Sequence, residues 1–102
     1  MSRLDKIQQM LASEPNDVFL HFSLAMEYVK QGQYEDALAE FARVNEMDAD
    51  YVPAYFQRAS TLVTLQCNDE ARLILQQGIA AAQRAGDHHA ASQMGQMLSL
   101  MG

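Results

Sequence analysis

Leu24-Ala25-Met26-Glu27-Tyr28, then Gly32-Gln33-Tyr34-Glu35-Asp36-Ala37 and Phe41, is the stretch on which the reading of this chain turns. From about Asn16 to Gln31, Phe22, Ala25, Met26 and Val29 recur at the three- and four-residue spacings that put side chains on one helical face. Phe19, Leu20, Leu24 and Tyr28 widen that stripe, and a helix apolar around so much of its circumference needs neighbours on two sides. Gly32 can enter the left-handed region that ends a helix without steric cost. A second helix then runs from about Tyr34 to Met47, with Ala37, Leu38, Phe41, Val44 and Met47 inward.

The unit recurs. Under a shift of 34 residues Ala25 falls on Ala59, His21 on Tyr55, Tyr28 on Leu62, Ala37 on Ala71 and Phe41 on Leu75. Small residues land on small ones and large apolar ones mostly on large ones. Shifted backwards, Arg3, Ile7, Met10 and Pro15 fall under Ala37, Phe41, Val44 and Ala49, so the first helix reads as the second half of a repeat. Shifted forwards, a terminal helix from about Asp87 to Met101 places His89, Ser92, Gln93 and Gln96 at the pattern positions.

These residues resemble the tetratricopeptide repeat family, whose pattern sets an aromatic, Leu-Gly and Tyr on one helix and Ala, Phe and a closing Pro on the next. His21-x-x-Leu24-Ala25-x-x-Tyr28 with Ala37-x-x-x-Phe41 fits that pattern. Tyr55-x-x-Arg58-Ala59-x-x-Leu62 with Ala71-x-x-x-Leu75 departs from it, since Arg58 replaces Leu and Gln66 stands where Gly32 stood. The closing Pro is absent from both copies, being Ala49 and Gln83. In size and layout the chain is similar to small bacterial members of the family. The resemblance implies an all-α, short right-handed solenoid of antiparallel helical hairpins, with six helices and no strands. It divides a single domain, 1–102, into a half-repeat helix at 2–13, a repeat at 16–49, a second at 50–85 and a terminal helix at 87–101.

Capping residues place the joints. Pro15 stops the first helix, and Asn16 or Asp17 starts the next. Asp50 is expected to cap a helix from Tyr51 to Leu65, with Pro53 in its first turn, and Asn68 to cap one reaching about Ala85. Gly86 then ends that helix and Asp87 starts the last.

Composition narrows the function. With 102 residues, 49% of them hydrophobic, the chain fills one domain. A net charge of −6 and scattered Arg3, Lys6, Lys30, Arg43, Arg58, Arg72 and Arg84 argue against nucleic acid, which needs clustered cations. No apolar run reaches membrane-spanning length and no signal-like segment opens the chain, so no membrane partner is expected. One cysteine, Cys67, allows no internal disulfide and suits a reducing compartment; the expected location is cytoplasmic.

Nothing points to catalysis or to a cofactor. His88 and His89 are adjacent, so on a helix they point about 100° apart and cannot readily share one metal ion. Asp48-x-Asp50 begins like a calcium loop, but Pro53 stands where that loop needs Gly. Cys67 lies beside Asn68 and Asp69, and a neighbouring carboxylate disfavours the thiolate a nucleophile needs. The expectation is no enzyme, no metal and no cofactor. Glu35, Asp36, Glu40 and Glu46 read as a solvated outer face.

In the family resembled here the first helix of each pair faces the concave side. That implies an apolar groove of Phe19, Phe22, Met26, Val29, Phe56, Ser60 and Val63, with Ala90, Met94 and Met97 from the terminal helix. Such a surface suits an amphipathic helix or apolar peptide. The Lys and Asn clamp with which some members grip acidic chaperone tails is absent, its places holding Phe22, Met26, Gln57 and Ala90. The expected function is a protein–protein interaction scaffold, with Phe22→Asp and Phe56→Asp removing the partner and leaving melting nearly unchanged. The alternative is a self-assembling homodimer using the same groove or the Met94, Met97, Leu98, Leu100 and Met101 end.

Overall fold

Three side-chain caps set the helix starts: Ser2 Oγ accepts from Asp5 N–H at 3.1 Å, Asp17 Oδ1 from Leu20 N–H at 3.0 Å and Asp87 Oδ1 from Ala90 N–H at 3.0 Å. The computed structural model describes residues 1–102 as helices α1 (Arg3–Ser13), α2 (Val18–Lys30), α3 (Tyr34–Met47), α4 (Val52–Thr64), α5 (Asn68–Arg84) and α6 (His88–Leu100), with no strand. Each packs on its neighbours in the chain, giving a slab of 42 × 29 × 18 Å.

The α2–α3 and α4–α5 turns are copies. Gln33 N–H donates to Tyr28 O and Cys67 N–H to Leu62 O, both at 2.8 Å and 34 residues apart in register. Gly32 takes φ +76° at the first turn; Gln66 takes φ +62° at the second, where a side chain must tolerate the left-handed region. Two of the expected caps differ. The residue before α4 is Tyr51, without a side-chain cap, and Asp50 instead accepts from Arg84; α5 begins at Asn68, with Cys67 in the capping place.

Alanine lets the hairpins close. Ala25, Ala37, Ala59 and Ala71 are all fully buried, Ala25 and Ala37 with Phe41, Val44 and Ala54, Ala59 and Ala71 with Leu62, Ile74, Leu75 and Met94. Small side chains at a helix crossing allow the larger neighbours to interdigitate without voids. His21, 7% exposed, ties α2 to the elements around it: Nδ1 lies 2.9 Å from Glu40 Oε2 and Nε2 2.7 Å from Pro15 O.

The terminal register differs from the sequence expectation. α2 and α4 start 34 residues apart (18 to 52), whereas α4 and α6 start 36 apart (52 to 88), because α5 runs to Arg84 while α3 stops at Met47. The residues that take the roles of Tyr55, Arg58, Ala59 and Leu62 are therefore Ala91, Met94, Gly95 and Leu98. His89, Ser92, Gln93 and Gln96 are exposed. Met94 is fully buried against Tyr55 and a notch at Gly78.

Candidate binding face

α2, α4 and α6 share a face on which three clefts open. Along α2, Phe19, Phe22, Ser23, Met26 and Val29 line a cleft of about 500 Å³ whose edge carries Arg3, Glu27 and Lys30. Between α4 and α6, Val52, Pro53, Phe56, Gln57, His89, Ala90 and Gln93 border one cleft of about 360 Å³. A second, of about 380 Å³, is bordered by Phe56, Val63, Gln93, Gln96, Met97 and Leu100.

These residues do not contribute alike. Phe19 is 64% exposed and touches nothing that the fold needs. Phe22 is divided: it reaches the cleft, yet its ring lies 5.9 Å from that of Phe41 and 5.3 Å from that of Tyr51, tilted against both. Tilted aromatic pairs at such distances stabilise beyond their buried area. The expectation that Phe22→Asp would leave melting unchanged is therefore corrected. Met26 and Val29 are half-buried beside the same cluster, and Phe56 and Val63 beside the second.

On α6 the groove reading changes most. Met94 is fully buried in the core and underlies the first α4–α6 cleft instead of presenting a free side chain to it. Ala90 and Met97 are half-buried against the core and each lines one of the α4–α6 clefts. His89, Gln93, Gln96, Met101 and the 88%-exposed Leu100 form the rest of the α6 wall, residues outside the expected groove. Ser60 is half-buried on α4 and borders none of these clefts. At the Met-rich end Met97, Leu98 and Met101 pack partly on the core, while Met97, Leu100 and Met101 also line the second α4–α6 cleft.

Electrostatically the face is close to neutral. Of the thirteen Asp and Glu residues, only Glu27 and Asp87 line these three clefts. Glu27 is 8% exposed and its carboxylate lies 3.5 Å from Arg3 Nε. By register, Arg3 and Glu27 hold the places that Ala37 and Thr61 hold one repeat later, so an ion pair stands where the next joint has two small side chains. No group of three or more His, Cys, Asp or Glu is placed to hold a metal ion, and Cys67 is exposed in its turn.

Stacked helical hairpins with one open face define a short α-solenoid. The chain belongs to the tetratricopeptide repeat family: two family models for that repeat match residues 28–94 and 1–51. Repeats of this family generally mediate protein–protein interaction. The fold is similar to that of a tetratricopeptide repeat domain protein from Salinibacter ruber, at 30% identity over 85% of this chain and 88% of that one, with a TM-score of 0.81. It is also similar to a Bordetella parapertussis protein, at 25% identity over 99% of this chain and 88% of that one, TM-score 0.86. At 17% identity the TPR2B domain of yeast Sti1, solved as a pHsp70 complex, has the same fold, TM-score 0.88 over 96% of this chain and 78% of that one. No curated protein matches the chain. No helix is long and apolar enough to cross a membrane.

Proposed function

We propose that this protein is a binding module, without a catalytic step or cofactor, that holds a short amphipathic helix of low net charge on the α2–α4–α6 face. The supporting observation is the open run of Phe19, Met26, Phe56 and Val63, which no helix of the chain covers, on a near-neutral surface of a molecule with net charge −6. Apolar side chains at helical spacing seat between those anchors, and flexible Met26 and Met97 adapt to them. A strongly acidic segment is repelled by the overall charge, and a strongly basic one is drawn to the acidic outer helices instead. The pHsp70 complex of the Sti1 domain lends support from a shared fold alone. The free thiol of Cys67 agrees with work in a reducing, cytoplasmic setting.

Selection from a displayed library of amphipathic helical peptides tests the reading. Selected peptides are expected to shift amide resonances on α2, α4 and α6, and to bind Phe19→Asp and Val63→Asp at least tenfold more weakly. Phe19→Asp should melt like the parent, since that ring is mostly in water. Peptides that bind both variants as well as the parent, or shifts confined to α3 and α5, would rule the face out.

A further inference from the structure

The two ends of the molecule are complementary halves of one motif. α1 occupies the role of α3 and α5, each of which lies against a preceding helix of its own hairpin; α6 occupies the role of α2 and α4, each covered by a following one. Met10, Val44 and Gly78 share a register at steps of 34. Val44 is buried with Ala25 of α2 and Ala54 of α4, and Gly78 between Tyr55 of α4 and Met94 of α6, whereas Met10 is 48% exposed. It borders an open cleft of about 570 Å³ with Gln9, Ser13 and Leu20, whose rim carries Lys6, Glu14 and Asp17.

At the other end, Gly95 stands in the place of Ala25 and Ala59. Those alanines are fully buried beneath α3 and α5, but a Cβ built on Gly95 meets no atom within 4 Å. Ala91 and Leu98 flank it, each half-buried on one side only. α6 carries no Asp, Glu, Lys or Arg, so nothing charged must be stripped of water when its open side is covered. In the pairing seen within the chain, the C-terminal turn of the first helix lies beside the N-terminal turn of the second. That alignment would set Arg3 beside the last carbonyls of α6, which have no basic residue of their own and carry partial negative charge.

We propose that copies of this chain associate head to tail, the Ala91–Gly95–Leu98 side of α6 in one copy lying on the Met10 side of α1 in the next. The contact continues between molecules the α2–α3 and α4–α5 pairing within each. It uses two different surfaces, so it is heterologous and does not close at a dimer. It is independent of the peptide reading, and either can fail alone.

Sedimentation of the full chain from micromolar to millimolar concentration should give a weight-average mass that rises past the dimer without a plateau. Gly95→Leu fills open space and Met10→Glu changes a half-exposed side chain, so both variants fold, with parental circular dichroism as the check. Each alone is expected to stay monomeric. Mixed in equal amounts they should form a dimer and stop, because one brings an intact α1 and the other an intact α6. A parent that stays monomeric throughout, a dimer that either variant still forms alone, or a mixture that does not pair would overturn the proposal.

Discussion

Arg84 Nε donates to Asp50 Oδ1 at 2.9 Å, joining residues 34 apart that hold the same register position in consecutive repeats. The arginine also reaches the Ala49 carbonyl at 3.4 Å, so one side chain bridges the α3–α4 connection and the end of α5. Both side chains are about half exposed, at 53% and 56%. A double-mutant cycle of Arg84→Ala and Asp50→Ala in urea is expected to give a coupling of about 0.5 kcal/mol. The coupling should shrink in high salt.

Gln66 holds φ +62° where the preceding repeat has Gly32 at +76°. An L-residue there carries left-handed strain that glycine avoids, offset in part by the greater backbone entropy glycine loses on folding. Gln66→Gly should raise the unfolding free energy by about 0.5 kcal/mol, and Gly32→Ala should lower it by about 1 kcal/mol. Urea midpoints moving the opposite way for the pair would contradict this account of the turns.

At Gly78 a Cβ would lie 2.6 Å from Met94 Sδ and 2.7 Å from Tyr55 Cβ. The thioether can swing aside, but the Tyr55 Cβ moves only with α4 itself. Gly78→Ala is expected to cost about 2 kcal/mol despite the better helix propensity of alanine. Gly95→Ala, with open space around it, should gain a few tenths to about 1 kcal/mol.

Tyr51 has its phenol raised above the usual value of 10.0, first by burial and then by the charges of Asp48 and Asp17. A raised folded value means that the unfolded chain loses this proton first as the solution becomes alkaline. The stabilisation is whole below the ordinary tyrosine range and is lost as pH climbs through the folded value. The difference between ultraviolet titrations of the parent and Tyr51→Phe should show Tyr51 ionising late, and Tyr51→Phe should flatten the alkaline loss of stability. Simultaneous titration of all tyrosines would contradict this.

Most of the architecture was legible because the 34-residue period carries both helix faces and turns at once. α3 was read to the residue at both ends, since breakers and periodicity coincide there, and α5 begins one residue before its expected start. The last joint is also placed correctly, at Gly86 and Asp87, but the register beyond it is not a fixed 34. Gln83, Arg84 and Ala85 contain no breaker, so α5 continues until Gly86 and the next helix starts two residues late. The signal that would have found it is Ala91-x-x-Met94-Gly95-x-x-Leu98, which restores a small residue to the crossing position. Periodicity also could not tell a ring wedged against Phe41 from one in water, so Phe22 and Phe19 looked alike.

Ile7 is the sole buried residue of α1, and Met94 the sole one of α6. In a linear array held by nearest-neighbour joints, outer units with one anchor each come loose before the middle. Deuterium should accordingly reach the amides of α1 and α6 first and those of α3 to α5 last. Heating would peel the molecule from its rims, and any guest held by α6 would be released before the inner hairpins notice.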